Sequence, residues 1–424
     1  MFRFIQKYVV KEDVPLPKLL AVFGVMLPSD ADSEDPLYLL RVLKVLISRT
    51  LRNRESLPQH STPSAFIDLL RSSRKIIVLT GAGISTNCGI PDFRSPQGIY
   101  ARLVASGRYP ELSDPQEMFD ITIFKEMPDL FYSFAKELYP DTSESGGKKK
   151  AGAVHHWIRS LETQGKLLRN YTQNIDTLEK VAGIEKVLYA HGSFATCSCL
   201  ICHTQYPGDS IRDAVFAQIV PLCPKCAPNG AAGDDSAAGP PKKKSRLMDG
   251  QADAESDTED WRSEWHNKPI LKPDITFFGQ PLDDAFDKCL IEDREEVDLL
   301  IVIGTSLQVA PVSELLSHIP HRIPQILINR DPVPHVMDRI DLAMLGDCDK
   351  VIEWIKNELE ESSTQSDANQ PRQLFDEIGH VWALDGANLE HKWIQKVKTY
   401  FEEEESEEEG DDKEKTTKEP SEAE

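Results

Sequence analysis

The sequence predicts an α/β protein with a parallel sheet and a small inserted zinc-binding module. Three apolar runs, at 75–80, 298–303 and 325–328, have the composition of strands buried in a parallel sheet, and each is followed by glycine or polar residues. Two C-x2-C pairs lie between the first run and the second. A chain of 424 residues, 40% of them apolar, is long enough for one large domain, a small module and tails.

The first run leads into a glycine-rich turn, Gly81-Ala82-Gly83-Ile84-Ser85. Such glycines let the backbone approach a pyrophosphate, and we expect a helix to follow with its N-terminus towards the negative charge. The motif is incomplete, because Thr86 replaces the third glycine of G-x-G-x-x-G. A tight turn without a ligand therefore stays open. The two later runs also end in hydrogen-bonding residues, at the strand ends where open α/β sheets bind ligands, which favours a Rossmann-like domain.

The cysteine pairs, Cys199/Cys202 and Cys223/Cys226, have zinc-ribbon spacing, with 20 residues between them. Four thiolates fill the coordination shell of zinc and leave no position for water, so we expect one structural Zn2+. Cys197 and His203 flank the first pair, and the four-thiolate set needs neither. A chance grouping of ordinary thiols is the alternative.

Further short motifs occur in a fixed order between Ile76 and Cys348. They read GAGIS, GIPDFRS, TQNIDTL, HGS, the two cysteine pairs, KPDITFFG, GTSL, INR and GDCD. In this order the chain resembles the sirtuins, NAD-dependent protein deacylases, and its flanking residues are nearest the animal nuclear type. The resemblance implies a discontinuous Rossmann-like domain with an inserted zinc ribbon and a helical module, and NAD consumed as co-substrate.

The resemblance implies catalytic roles for His191 and Asn174. An imidazole titrates near neutral pH, so His191 is the candidate general base for a ribose hydroxyl. Asn174 and Gln173 are suited to orienting that ribose, and Asp176 resembles the acid that holds the nicotinamide amide. Without the family context, His191 is a structural residue and the others cap a helix beginning near Thr177. Capping and ligand binding are compatible.

The resemblance also implies contacts to NAD and to the substrate peptide. Phe93 would shield the reactive ribose on a loop that is mobile when empty. The NAD set is Gly81, Ala82, Gly83, Ile84, Ser85, Ile90, Asp92, Phe93, Arg94, Tyr100, Gln173, Asn174, Ile175, Asp176, Gly304, Thr305, Ser306, Asn329, Arg330, Asp331 and Cys348. The peptide would bind as an added strand. Its contacts are Thr276, Phe278, Gly279 and Val309. Thr276 and Gln280 depart from the family pattern, which puts acyl and peptide preference in doubt.

These patterns favour an NAD-dependent deacetylase of histone and non-histone proteins, with a role in chromatin silencing. The alternatives are a mono-ADP-ribosyltransferase, which shares the first bond cleavage, and an inactive module that binds acyl-lysine or NAD. A dehydrogenase usually needs the complete glycine motif. A zinc-ribbon nucleic-acid binder is disfavoured by a net charge of −22, so no sequence-specific nucleic-acid binding is expected.

The chain divides by composition and resemblance into successive segments. They are a helical lead-in (1–63), the first part of the core (64–191), the zinc module (192–270) with a disordered insert (227–268), the second part of the core (271–357), a C-terminal segment (358–401) and a disordered acidic tail (402–424). Part of the C-terminal segment, 375–389, is expected to fold back on the core as a hairpin. Thirteen acidic residues against three lysines in the tail predict a solubilising segment or a surface for basic partners.

Location is predicted from short charged and apolar runs. The basic run 240–246 resembles a nuclear localisation signal, so we expect the nucleus with shuttling to the cytoplasm. A solvated charge run is the alternative. The nine apolar residues 19–27 are too few to span a membrane, and no membrane association is expected. Acetylated histone tails and transcription regulators are the partners that the resemblance implies.

Overall fold

A computed structural model describes residues 14–22, 38–43, 54–110, 112–139, 150–227, 265, 267–281, 283–360 and 369–401. Most of the insert, including the basic run 240–246, and the acidic tail lie outside these residues, and so do the predictions of disorder made for them. The strands are β1 (Ile76–Thr80), β2 (Leu167–Thr172), β3 (Val187–Tyr189), β4 (Gly192–Cys199), β5 (Gln205–Pro207), β6 (Leu271–Ile275), β7 (Leu299–Ile303), β8 (Gln325–Asn329), β9 (Leu342–Leu345), β10 (Arg372–Gln373) and β11 (Val381–Ala383).

The α-helices in this part of the chain are short to medium in length. They span Leu16–Val22, 38–43, Pro63–Ser72, Ile99–Ser106, Ile121–Glu126, Pro128–Ala135, Ala153–Thr163, Leu178–Val181, Arg212–Ala217, Ala285–Glu296, Leu315–His318, Cys348–Leu359 and 392–401. The 3-10 helices are Pro58–His60, Ala82–Ile84, Thr86–Cys88, Pro115–Phe119, Gly208–Ile211 and Val312–Glu314. None of the helices described is long and apolar enough to cross a membrane.

Two sheets are formed by the described strands. The larger has eight strands in the order β10-β11-β9-β8-β7-β1-β2-β3, and the smaller has three in the order β5-β4-β6. In the large sheet, β2 with β3, β8 with β9 and β11 with β9 are parallel pairs, and β10 with β11 is antiparallel. Both pairs of the small sheet are antiparallel. Every residue of β1 and of β7 is buried, which explains their unbroken apolar sequences. The predicted α/β class is confirmed.

The chain separates into two compact units. Unit 1 comprises the described residues within 1–77, 289–302 and 306–424, and unit 2 comprises those within 78–288 and 303–305. In unit 1, the helix Cys348–Leu359 is capped by Asp347, whose carboxylate accepts the amides of Asp349 and Lys350. Later in the same unit, β11 pairs in parallel with β9 and antiparallel with β10.

Unit 2 holds β2, β3, the small sheet and a group of helices between 99 and 135. A cluster of buried aromatic rings, including Phe119, Phe124, Phe131 and Phe277, packs these helices against residues that flank the small sheet. Ring centroids of Phe124 and Phe277 lie 5.1 Å apart in an edge-to-face arrangement, a favourable geometry for aromatic pairs. This core holds the segment after β6 in place.

Candidate active site and metal centre

A glycine-rich turn follows β1 where the chain leaves the sheet. The Gly81 amide donates to the Ile303 carbonyl at 3.1 Å, and the Gly83 amide donates to the Gly304 carbonyl at 2.8 Å. A Cβ on Gly81 would lie 2.6 Å from the Thr305 Cβ, and one on Gly83 would lie 2.8 Å from the Gly304 Cα. Since Cβ atoms essentially never approach other atoms this closely, both positions require glycine where the two strand ends meet.

The predicted helix directly after this turn is wrong. The chain instead forms the two 3-10 helices Ala82–Ile84 and Thr86–Cys88, and an α-helix begins only at Ile99. Gly89 has a φ of 79°, which ends the second 3-10 helix, and Ile90 precedes a proline, where helical backbone is disfavoured. The turn is therefore followed by two short 3-10 helices rather than by the N-terminus of an α-helix.

Two side-chain amides connect the end of β2 to the glycine-rich turn. Gln173 Nε2 donates to Thr305 Oγ1 at 3.0 Å. Asn174 Nδ2 donates to the Gly81 carbonyl at 3.2 Å and to Ser85 Oγ at 3.3 Å, and this side chain is buried. Both amides are thus oriented by the protein itself, which lowers the cost of placing a ligand against them.

His191 lies two residues after β3. Its Nδ1 is 3.0 Å from the Gln173 carbonyl oxygen, which only accepts hydrogen bonds, so Nδ1 carries the proton in the neutral ring. Nε2 then carries the lone pair. It is buried and has no hydrogen-bond partner among the described residues. The ring is therefore anchored at one nitrogen and presents a proton acceptor at the other.

The surroundings of His191 favour its neutral form. Burial lowers its pKa, and the positive charge of Arg94 lowers it further, while the hydrogen bond to Gln173 opposes both. Because the pKa falls below the ordinary value of about 6.5, the imidazole is uncharged at neutral pH. This is the form that a general base requires.

Asp176 and Thr177 shape the segment after Asn174. Asp176 is buried, and its Oδ1 accepts the Leu178 amide at 3.0 Å, at the start of the helix Leu178–Val181. Thr177 has a φ of 60°, a left-handed conformation that is unusual for a β-branched residue. Asp176 therefore contributes to the local turn as well as being a candidate ligand contact. Ile175 accepts the Phe194 amide through its carbonyl at 3.3 Å.

The segment from Asp92 to Tyr100 forms a compact turn. Asp92 Oδ1 accepts the amides of Arg94 and Ser95 at 2.9 and 2.7 Å. The Phe93 ring packs 5.8 Å from Tyr100 and 5.7 Å from Phe119 between centroids. Phe93 is thereby held by neighbouring rings, and the mobility of this loop stays a prediction.

Unit 1 carries the remaining predicted cofactor residues as a group of its own. The Asn329 carbonyl accepts the Gly346 amide at 2.9 Å, which joins the INR motif to the GDCD motif. Asn388, from the segment after β11, donates to Asp331 Oδ1 at 2.6 Å and to the Arg330 carbonyl at 3.1 Å. Sequence reasoning missed Asn388, because nothing in its neighbourhood resembles a motif. Ser306 is exposed and Val309 half-buried.

Cys348 is buried at the start of the helix Cys348–Leu359. Burial raises the pKa of its thiol to about 12, and the charges of Asp347 and Asp349 act in the same direction. The thiol is thus uncharged at neutral pH and is suited to packing rather than to nucleophilic chemistry.

Four cysteine sulfurs converge at the end of β4. The Sγ atoms of Cys199, Cys202, Cys223 and Cys226 all lie within 4.8 Å of one another. Two of the separations are 3.9 Å (Cys199 to Cys226) and 3.8 Å (Cys202 to Cys223). A tetrahedral zinc site with Zn–S bonds of about 2.3 Å has S–S edges of about 3.8 Å, so the cluster fits zinc.

Cys197 does not belong to this group, as predicted. Its side chain is buried in β4, and its Sγ is 3.8 Å from the Pro207 carbonyl. Burial raises the pKa of this thiol to about 12. It therefore serves as a neutral packing residue beside the cluster.

The candidate peptide segment follows β6. Its first residue, Thr276, donates its amide to the His191 carbonyl at 2.7 Å, so the segment starts beside the candidate base. Lys272 is buried and donates to the Ile275 carbonyl at 2.6 Å, and burial lowers the pKa of this lysine to about 8. Phe278 bonds through its amide and carbonyl to Phe119 and Ile121, so a peptide strand must pair with other groups of this segment.

Comparison with known proteins identifies the family. A family model described as Sir2 family matches residues 81–311, from the first glycine of the turn to beyond the GTSL motif. That is more than half of the chain. This protein belongs to the Sir2 family.

The Sir2 relatives include proteins from animals and fungi. The chain is 46% identical over 286 residues to NAD-dependent protein deacetylase sirtuin-1 of Mus musculus, covering 68% of this chain and 33% of that protein. It is 41% identical over 360 residues to NAD-dependent histone deacetylase sirtuin-1 of Drosophila melanogaster, covering 85% and 40%. For NAD-dependent histone deacetylase sir2 of Schizosaccharomyces pombe the identity is 40% over 358 residues, covering 82% and 70%. The chain thus spans less than half of the sirtuin-1 relatives.

Solved Sir2 structures resemble this fold. One is of Sir2 with a deacetylated p53 peptide and 3′-O-acetyl-ADP-ribose, with a TM-score of 0.51 and 30% identity over 70% of this chain and 98% of that chain. A second, on the mechanism and regulation of Sir2 enzymes, has a TM-score of 0.52 and 26% identity over 70% and 96%.

The predicted residues of this Sir2 chain fall into separate groups. Unit 2 brings together the glycine-rich turn, Gln173, Asn174 and His191, with Thr276 bonded to the last of these. The residues from Ser306 onward belong to unit 1. Sequence reasoning missed Thr172 and Glu179, which lie behind this group. An acid in the first turn of a helix is ordinarily solvent-exposed and favourable there, so no local pattern indicates that Glu179 is buried.

Proposed function

We propose that this chain is an NAD-dependent protein-lysine deacetylase. The observation that carries the proposal is His191, anchored through Nδ1 to the Gln173 carbonyl with an unpartnered, buried Nε2. Asn174 and the glycine-rich turn lie next to that anchor. In the overall reaction, acetyl-lysine, NAD and water give free lysine, nicotinamide and O-acetyl-ADP-ribose. The names of the Sir2 relatives, NAD-dependent deacetylases, support the same activity.

His191 acts as the general base. Its Nε2 accepts the proton of a ribose hydroxyl while Nδ1 stays bonded to the Gln173 carbonyl, which stabilises the imidazolium as it forms. Asn174 and Gln173 orient the ribose, and Phe93 excludes water from it. When bound, NAD supplies the ADP-ribose that receives the acyl group. The glycine-rich turn is the proposed phosphate contact, because it follows the carboxyl end of β1, where open α/β sheets bind ligands, and because Gly81 and Gly83 leave no room for side chains there.

The cysteine cluster would hold one zinc ion with a structural role. Four thiolates complete a tetrahedral shell, so no position remains for substrate or water. The ion would fix the small sheet, whose central strand β4 begins at Gly192, the residue after His191. Zinc thus supports the site through the backbone and takes no part in the chemistry.

Acetylated protein segments are the proposed substrates, with histone tails and transcription regulators as the class. The segment Thr276–Gly279 would bind the acyl-lysine peptide on the side of His191, since the Thr276 amide bonds to the His191 carbonyl. We expect Thr276→Val to change the ratio of kcat/KM between acetyl and longer acyl substrates while leaving the pH profile unaltered. Steady-state rates with acetyl, butyryl and myristoyl versions of one peptide measure this.

The nucleus is the proposed location, with shuttling to the cytoplasm. The names of relatives as histone deacetylases and the basic run 240–246 support it. Neutralising the four basic residues 242–244 and 246 in a fluorescent fusion tests the role of the run. Retention of the variant in the nucleus at the wild-type ratio would contradict that role.

The deciding experiment is mass spectrometry of an acetylated histone-tail peptide incubated with the full chain, with and without NAD. We expect NAD-dependent loss of the acetyl group, with nicotinamide and O-acetyl-ADP-ribose formed. His191→Ala should reduce the rate by at least about 100-fold, the scale of lost general-base catalysis. His156→Ala, which removes an exposed histidine on the helix Ala153–Thr163, is the matched control and should retain the rate.

Other outcomes separate the alternatives. Cleavage of NAD with ADP-ribose attached to protein, and no loss of acetyl, would indicate mono-ADP-ribosyl transfer. If the chain binds NAD but does not cleave it in the presence of either acetylated peptides or peptides with longer acyl groups, it is an inactive binding module. Either result overturns the proposal.

A further inference from the structure

Glu179 is a fully buried carboxyl group behind the candidate active site. Its exposed fraction is 0%, although it lies in the first turn of the short helix Leu178–Val181. Oε1 accepts a hydrogen bond from Thr172 Oγ1 at 2.6 Å. Oε2 has no hydrogen-bond partner among the described residues. Buried carboxyl groups are costly, and acids are almost never fully buried unless they are paired.

Thr172 connects this carboxyl group to both candidate catalytic residues. Its Oγ1 accepts the backbone amide of Asn174 at 3.1 Å, in addition to donating to Glu179. Its carbonyl accepts the amide of Ala190, the residue before His191, at 2.9 Å. One threonine at the end of β2 therefore fixes the backbone on either side of the site, and Glu179 fixes the rotamer of that threonine.

The charges that face Glu179 favour its neutral form. Burial raises the pKa of Glu179 to about 8, the nearby Asp176 raises it as well, and the hydrogen bond from Thr172 opposes them. The Tyr189 hydroxyl, on β3, is also buried, and burial raises its pKa. The negative charges of Glu179 and Asp176 raise the pKa of Tyr189 further. The carboxyl group is thus mostly uncharged at pH 7 and ionises next to Asp176 as the pH rises.

We propose that Glu179 is a positioning residue, which holds Thr172, and through it the backbone at Asn174 and next to His191, in reactive geometry. The kinetic effect of this role rests on the proposed deacetylase activity. The hydrogen bonds themselves do not depend on that activity. Glu179 touches neither substrate nor cofactor in this role and acts only through Thr172.

Two pairs of variants of the full chain test the proposal. Glu179→Ala and Thr172→Val should each lower kcat by about 10- to 100-fold with a smaller change in KM, the effect of a slight misplacement of reacting groups. Glu179→Gln and Thr172→Ser keep an acceptor and a hydroxyl, and should restore kcat to within about threefold of wild type. Ile158→Ala, in a buried position of the helix Ala153–Thr163, is the control for lost stability alone.

The comparison with the control separates positioning from folding. If Ile158→Ala lowers the melting temperature as much as Glu179→Ala but keeps kcat, the loss in the Glu179 variant is specific. An unchanged kcat in Glu179→Ala would overturn the proposal. So would a failure of Glu179→Gln to restore activity while the protein remains folded.

The pH profile gives a second kinetic readout. In wild type, kcat should fall above about pH 8, because ionised Glu179 places a second buried negative charge beside Asp176, and Glu179→Gln, which cannot ionise, should remain active there. Identical high-pH limbs in the two proteins would contradict a role for the neutral carboxyl group.

Amide hydrogen exchange tests the geometry without using activity. Peptides that span 172–178 and 187–192 should exchange at least about tenfold faster in Glu179→Ala than in wild type, because their anchor to Thr172 is loosened. Ile158→Ala should not show this pattern. Unchanged exchange in both peptides would overturn the proposal even if the wild-type chain proved inactive. An inactive wild type with faster exchange in the variant would contradict the deacetylase activity alone.

Discussion

With His191 as the proposed general base, its titration should govern activity on the acid side. Its pKa is lowered by burial first and by Arg94 as well, so the ring stays neutral until the pH falls below about 6.5. We expect kcat/KM to be flat near pH 7 and to fall about tenfold per pH unit below the lowered pKa, since only the neutral ring accepts a proton. Rates measured between pH 5 and 8 give the midpoint. A midpoint above 6.5 would contradict the predicted environment.

Arg94 offers a matched test of the same electrostatics. Arg94→Gln removes a like charge, which should move the acid limb of kcat/KM to higher pH whatever it does to the absolute rate. Lys136→Gln is the control, because it also removes one positive charge, but Lys136 does not lower the pKa of His191. Equal midpoints in wild type and Arg94→Gln would indicate that Arg94 is screened from the ring.

Arg54 and Asp341 form a buried ion pair in unit 1. Arg54 donates to Asp341 Oδ1 and Oδ2 at 2.8 and 2.5 Å, and Asp341 also accepts the amides of Leu57 and Gln325. Arg54→Met should lower the free energy of unfolding by about 3–5 kcal/mol, because it leaves a buried carboxylate with its opposite charge removed. Denaturant unfolding measures this, with Arg71→Met, an exposed pair with Asp68, as control. Equal losses in the two variants would refute the assigned role.

At the scale of elements, the sequence predicts strands well and their surroundings less well. β1 and β7 are buried on both faces, so their apolar runs identify them without tertiary information. The helix expected after Gly81 does not form, because close approach of the Gly304 segment and the later Gly89-Ile90-Pro91 sequence favour 3-10 turns. Local patterns indicate glycine, but they do not distinguish a glycine needed for packing from one needed for a phosphate.

The cysteine cluster could be predicted because its ligands are close in sequence and their spacing is selective. The pair of Glu179 and Thr172 behind the candidate active site could not be predicted. Whether Glu179 is buried depends on the pairing of β2 with β3, and neither strand carries a pattern that reveals its partner. Thr172 likewise looks like an ordinary strand residue until its hydroxyl is seen between Asn174 and Glu179.

Loss of the metal should disrupt the small sheet as one element. Cys199→Ser removes one of four thiols, and a structural zinc ion contributes on the order of 10 kcal/mol to local folding, so we expect loss of zinc and of activity together. Cys197→Ser changes a thiol two residues earlier on the same strand but outside the cluster, and should retain the metal. Elemental analysis and circular dichroism measure both. Full zinc content in Cys199→Ser would contradict the ligand assignment.

At the scale of the whole molecule, unit 1 is completed by residues far along the chain. β11 covers β9 as its neighbour in the sheet, and Val381 and Ala383 are fully buried there. Asn388 then bonds to Arg330 and Asp331. The segment therefore contributes both to the apolar core of this unit and to the geometry of a motif 57 positions earlier.

Deletion of residues 369–424 should destabilise the protein and expose a strand edge. Burial of Val381, Ala383 and Leu384 is worth about 3 kcal/mol or more, which corresponds to a fall of roughly 5–10 °C in melting temperature. The uncovered edge of β9 then favours association between chains. A chain ending at Phe401 retains β11 and Asn388 and is the matched control. Thermal unfolding with light scattering distinguishes the two proteins, and a monomeric deletion variant with the melting temperature of the control would mean that β11 adds no stability to unit 1.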